Sequence, residues 1–307
     1  MNELSEKESP LGAIARPRAR APRMHDAAAV TPTVSLARSS TLRGVLERRR
    51  SAHELLDEYL LEAEVHGAAM PAKVVGEPGF ILHAWEWSES SQLLDVLTLH
   101  YGRVFMVAKG AKRPSSQMRG LLTQFCPLLF HWSGRREAKS LVRVDWLGSL
   151  MPLTGETLMS AFYVNELVLR LCQREEHHPG LFSAYVTVLD ALAAGRRDGV
   201  QPALRAFERT ILTLAGWTPS TEGFPEAQAY VFREGVLCAA QPCTNGNTSA
   251  PRHYRREEVE ALLQGDFTKK STQRALRDML REMIEYHLEH RVLNTRRILA
   301  ELKELMR

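Results

Sequence analysis

Long apolar runs are missing from this 307-residue chain. No stretch approaches the roughly 18 residues of a membrane span, and the N-terminus lacks the apolar centre of a secretory signal. Cysteine is scarce as well: Cys126 and Cys172 stand far from the pair Cys238 and Cys243. Four thiols so spaced in a chain without a secretory signal indicate a reducing, cytoplasmic protein rather than a disulfide framework. Zinc would need two further ligands near Cys238 and Cys243, and only His253 is close, so no metal is expected.

Catalytic signatures are absent too. Gly110-Ala111-Lys112 echoes a phosphate loop, but the glycines that wrap a nucleotide are not at the required spacing. No nucleophile elbow, paired catalytic carboxylates or dinucleotide fingerprint occurs. His177 and His178 fall in a polar turn between helices, and His287 and His290 lack the intervening Glu of a metalloprotease helix. The expectation is a non-enzyme with no cofactor.

The most informative absence is local. Between Tyr101 and Arg136 there is no Asp or Glu, yet seven cations occur: Arg103, Lys109, Lys112, Arg113, Arg119, Arg135 and Arg136. The chain's net charge of +4 is too mild to carry a functional argument, so this distribution carries it. Such a run neutralises phosphates and releases counterions, which gives sequence-independent affinity for DNA or RNA. Tyr101, Phe105, Phe125, Phe130 and Trp132 lie among the cations as candidates for base stacking, although strand alternation must bury some of these rings.

Along the chain, residues 1–75 read as an Arg/Ala/Pro-rich disordered extension with one helix at 41–66. Short β runs follow at 80–87, 92–99, 102–108, 125–132 and 141–147. Five strands in so short a span predict a small barrel over 77–152, of the oligonucleotide-binding (OB) type or the similarly spaced SH3-like type. After Pro152 the apolar period becomes helical. Helices are expected from Thr154 to about 174, from Pro179 to Gly195, over 201–215, over 270–291 and over 294–306. An irregular insert at 217–250 carries a hairpin near 230–239. The class is α+β, multi-domain: a barrel, then an α-helical domain over 153–307.

The segments "GFILHAWEWSESSQLLDVLTLHYGRVFMVAKGAK", "FYVNELVLRLCQREEHHPGLFSAYVTVLDAL", "LRAFERTILTLAGW" and "LREMIEYHLEHRVLNTRRILAEL", in order from Gly79 to the C-terminus, resemble the bacterial recombination mediator family RecO. That resemblance implies an OB-fold followed by a helical domain, no nucleotide hydrolysis, and a role in DNA repair. It also implies binding of single- and double-stranded DNA, annealing of complementary strands, and cooperation with RecR (and RecF) to load RecA. The strands concerned are coated by single-stranded DNA-binding protein, whose acidic tail the helical domain grasps. Many members carry a four-cysteine zinc module; here "TPSTEGFPEA" holds none of its first pair, which implies a metal-free insert at 217–250. The Arg-rich extension has no counterpart in the family, and either adds DNA affinity or reflects translation from a start near Met70.

On this reading the seven cations above hold DNA. Arg170, Arg174, Arg205 and Arg209 are the candidates for the tail, because a carboxylate-bearing peptide with an aromatic ring needs cations around an apolar pocket. The expected location is the bacterial cytoplasm, at the nucleoid, with no membrane partner. The rival reading is a protein-interaction adaptor whose barrel binds another protein.

Overall fold

The computed structural model describes residues 70–148, 152–219, 226–240 and 252–305. Most of the extension, including the helix expected at 41–66, and Cys243 lie outside the described residues.

Five strands close a barrel: β1 (Lys73–Glu86), β2 (Gln92–Thr98), β3 (Gly102–Ala108), β4 (Leu128–Ser133) and β5 (Lys139–Trp146), in the order β1-β2-β3-β5-β4 with β4 returning to β1. All neighbours are antiparallel except β3 and β5, which pair in parallel through Met106–Lys139 and Val107–Ser140. The expected OB barrel is thus found. β1 is twice as long as β2 because it serves two partners, β4 with residues 73–79 and β2 with residues 79–86. Gly79, at the changeover, has no room for a side chain, since a Cβ there would lie 2.9 Å from the Leu97 carbonyl.

The barrel interior is filled by Ile81, Leu94, Val96, Val104, Met106, Leu128, Phe130, Trp132, Leu141 and Val144, the inward set that a period of two provides. A register shift after Ile81 interrupts that period in β1. Leu82 is the extra residue, so both Leu82 and His83 point outward, and Ala84 returns to the interior.

Among the described residues six helices follow: α1 (Gly155–Leu171), α2 (Pro179–Ala194), α3 (Arg197–Leu214), α4 (Arg256–Gln264), α5 (Gln273–His287) and α6 (Asn294–Leu305). α1 and α2 start at Thr154 and Pro179 as the sequence predicts, and Gly195 ends α2 in the left-handed conformation. α3 starts four residues earlier than expected, with Pro202 inside it, and α4 was not anticipated. The hairpin is present as β6 (Ala229–Arg233) and β7 (Val236–Ala239), and β8 (His253–Arg255) completes a three-stranded sheet in the order β7-β6-β8. No helix among the described residues is long and apolar enough to cross a membrane.

The barrel and the helices share a core. Phe80, Leu82, Leu97 and Leu99, on the outside of β1 and β2, pack with Val164, Leu167, Phe182 and Tyr185. Phe80 lies 5.8 Å from the Phe182 ring and 5.2 Å from the Tyr185 ring.

Candidate nucleic-acid interface

The seven cations of the acid-free run fall in three places. The first is the segment that leaves β3. Ala108 and Ala111 are buried in the barrel, and a tight turn through Gly110 lets Lys109 project between them. Successive turns follow, Ser116 N–H to Arg113 O at 3.0 Å and Arg119 N–H to Ser116 O at 3.3 Å. Met118, Leu121 and Leu122 pin this segment onto the barrel core. Its cations therefore have a fixed backbone beneath them while Lys109, Arg113 and Arg119 remain exposed.

This segment is bonded to the turn between β1 and β2. Lys112 donates its amide to Ser90 O at 2.9 Å, and Gly110 donates to Ser91 Oγ at 3.3 Å. Among the described residues, Lys112 alone of the four has a carboxylate partner, Glu86 at 3.1 Å. The pair is solvated, so a phosphate can compete for the ammonium at little cost.

The second place is the turn between β4 and β5, where Arg135 and Arg136 are exposed. Lys139, missed at the sequence level, is buried just behind them, bonded to Arg136 O at 2.8 Å and Glu175 at 2.7 Å.

The third place is not a surface. Arg103 grips Asp95 with two nitrogens, at 2.7 and 3.2 Å, and donates to the carbonyls of Val168, Leu169 and Cys172 at 3.4, 2.8 and 2.6 Å. It thereby supplies a donor to the carbonyls at the C-terminus of α1, of which Val168 O also accepts from the Cys172 amide, and the helix dipole favours a cation there. Asp95 itself is fully buried, and Arg174 closes over it at 3.2 Å. Beside this ion triad, Gly102 lies so close to the segment after α1 that a Cβ would sit 1.9 Å from Glu176 O.

The four tail-binding candidates do not form one pocket with free cations. Arg174 bridges Asp95 and Glu137 and covers the Phe105 ring at 4.2 Å. Arg205 is buried against Glu208 at 2.8 Å. Burial pushes the Glu208 carboxyl upward, against the pull of Arg205 and the 2.6 Å hydrogen bond donated by Tyr163. Arg209 donates to Leu263 O at 2.7 Å. Arg170 pairs with Glu166 at 3.1 Å and keeps part of its side chain in solvent. Cations also meet an apolar floor in a cleft of about 370 Å³ between α5 and α6, where Arg281, Arg291, Arg296 and Arg297 surround Val292 and Leu293, and where Glu285 pairs with both Arg281 and Arg296 at 2.7 Å.

The aromatic candidates are mostly structural. Phe130 and Trp132 are fully buried, Phe125 nearly so, and Tyr101 packs edge-on to Trp132 at 5.6 Å. The exposed rings of the barrel are Trp85, Trp87 and Trp146, which sequence reading passed over. Cys238 is exposed on β7, and no cluster of three or more potential metal ligands occurs among the described residues.

The residues that carry the resemblance prove to be ties within the fold. Asn165 donates to Leu82 O at 2.8 Å and accepts from the Tyr185 hydroxyl at 2.6 Å. Glu166 accepts from the amides of Asn294 and Thr295 at 2.8 and 2.9 Å, and from the Thr295 hydroxyl at 2.8 Å, capping α6. Burial alone would raise the Glu166 carboxyl; the amides of Thr295 and Asn294, the hydroxyl and Arg170 outweigh it and hold the carboxyl below the usual range.

Comparison with known proteins bears on the same residues. Residues 73–150 match the family model for "Recombination protein O N terminal", and residues 152–297 match that for "Recombination protein O C terminal". The chain is 38% identical over 294 residues to a protein named DNA repair protein RecO from Cupriavidus pinatubonensis, covering 86% of this chain and 98% of that one. It is 38% identical over 264 residues to the one from Ralstonia nicotianae, covering 81% and 95%. With the one from Aromatoleum aromaticum it shares 37% over 238 residues, covering 75% and 96%.

Proposed function

The chain belongs to the RecO family of DNA repair proteins, and from that premise we propose that it acts as a recombination mediator that holds DNA on the barrel. The observation that carries this reading is the firmly seated, cation-bearing segment 109–119, from which Lys109, Arg113 and Arg119 project with no acid among them. Lys112, Arg135 and Arg136 extend the contact; Arg103 is left out because its donors are engaged with Asp95 and α1. Phosphates of single or double strands are neutralised there without base readout. Shielding the charge of two complementary strands lets them approach and anneal, a step that needs no catalytic group.

Mediation follows from the same binding: with RecR, the protein helps RecA onto strands coated by single-stranded DNA-binding protein. Capture of that protein's acidic tail falls to the helices. Arg170 keeps about a third of its side chain open, at 30%. The cleft between α5 and α6 sets cations around an apolar floor, where a tail carboxylate takes the place of Glu285 on Arg281 and Arg296. This work is done in the cytoplasm, at the nucleoid.

The test is fluorescence anisotropy of labelled oligo-dT across a salt series. The Lys109/Lys112/Arg113/Arg119→Ala variant should bind more weakly, with a log–log salt slope shallower by about 0.7 for each phosphate contact removed. Unchanged affinity and slope in a folded variant would move DNA off this segment and turn the barrel into a protein-binding module.

A further inference from the structure

We propose that Trp85 and Trp87 form a base-stacking platform that lets the barrel favour single-stranded over duplex DNA, an inference that rests on the DNA-binding reading above. Trp85 is 39% exposed and Trp87 61% exposed, large apolar areas for rings two residues apart at the end of β1. Isolated exposed apolar residues are ordinary; a pair of indoles beside a cationic segment is a combination that single strands use.

The ring of Trp85 and the backbone of Trp87 stand on fixed supports. Trp85 is held edge-on to His83 at 4.4 Å and to Phe105 at 6.2 Å, and Phe105 is in turn pressed by Arg174. Edge contacts of this kind set a ring's orientation, and Trp85 stays 39% exposed despite them. Trp87 begins a turn closed by its own amide, which donates to Ser91 O at 3.2 Å. That turn is bonded to the cation-bearing segment through Ser90 and Ser91, so the indoles and Lys109, Lys112 and Arg113 belong to one pair of linked turns.

A carboxylate in the turn orients the strand. Glu86 is paired with Lys112, whereas Glu89 is exposed at the tip of the turn, and its charge repels phosphate there. The sugar-phosphate backbone therefore runs along 109–119, with the bases toward the tryptophans. A duplex keeps its base faces stacked inside and gains only the phosphate contacts. Arg174 and Phe105 do not take part in stacking, because each is engaged with the other.

The experiment uses the full chain and anisotropy titrations of labelled oligo-dT and of a blunt duplex of equal length. Trp85→Ala/Trp87→Ala should weaken oligo-dT binding roughly tenfold or more, in line with one or two lost base stacks. Duplex affinity should change less than twofold, and the salt slope should stay as in wild type. Trp87→Phe, which keeps a stacking ring, should retain most of the oligo-dT affinity in the Trp85-intact background. Equal losses for both DNAs, or no loss for oligo-dT, overturn the proposal while wild type still binds with a salt-dependent slope. A wild-type chain that binds neither DNA overturns the parent reading as well.

Discussion

Arg113 and Arg103 are ten residues apart on one continuous segment, yet they live in different electrostatic worlds. Arg113 projects from a turn into solvent; Arg103 is enclosed by Asp95 and three helix carbonyls. The same contrast separates the outer turns of the barrel from its boundary with the helices, where Arg174 and Lys139 are likewise engaged. A guanidinium surrounded by acceptors contributes to folding, and one left to water is available for a ligand. Depletion of acids in the sequence finds the second kind only where the acceptors of the first kind are also nearby in sequence. Asp95 lies just outside the acid-free run, and the carbonyls it works with are 65 or more residues away.

The sharpest way to break the contrast is Arg103→Ala. It strips Asp95 of its bidentate partner and the α1 terminus of its donor. Urea denaturation should record a loss of roughly 3 kcal/mol, the low end for breaking a buried pair, because Arg174 still faces the carboxylate. The salt slope of DNA binding should not change if the folded fraction is held constant.

A smaller effect is expected at the start of α6. Glu166→Gln keeps the size but not the charge that caps α6, and should cost about 1–3 kcal/mol at neutral pH. The folded carboxyl titrates below its unfolded value, so its stabilisation is fully present above the unfolded value of about 4.3 and disappears as pH falls through the lower, folded one. Urea midpoints of wild type and Glu166→Gln should therefore converge on acidification. A gap that widens toward low pH would contradict this assignment.

The least disruptive change is Arg113→Ala. Its urea midpoint should match wild type, and its oligo-dT salt slope should fall by about 0.7 if one phosphate contact is lost. Arg103→Ala and Arg113→Ala then affect different measurements, and a result in which both lower only stability would erase the distinction between the two regions.

How far the sequence was legible follows from where the partners of each residue lie. Strand β3 was readable because buried residues alternate without interruption along it, and β2 because it is a short apolar run, buried from Leu94 to Thr98. The start of β1 was not, since Gly76 and Pro78 read as breakers although they sit where that strand meets β4. The tryptophans were lost for a related reason. Simple alternation counted from Ile81 puts Trp85 inside; the extra residue at Leu82 turns it outward. α4 is nine residues long, too short for its apolar period to stand out. The four arginines assigned to the tail looked like a charged helix face. Their partners, Asp95, Glu137, Glu208 and Leu263 O among them, come in part from distant elements. The pattern therefore located helices and strands better than it located free charge.

The shared core of Phe80, Leu82, Leu97 and Leu99 with α1 and α2 has a consequence for inheritance. Two family models divide the chain at residue 151, but the apolar surface continues across that division. A barrel exchanged for that of a relative would arrive with a face cut for another set of helices. The halves can diverge only as a pair, each substitution at Phe80 being answered at Phe182 or Tyr185.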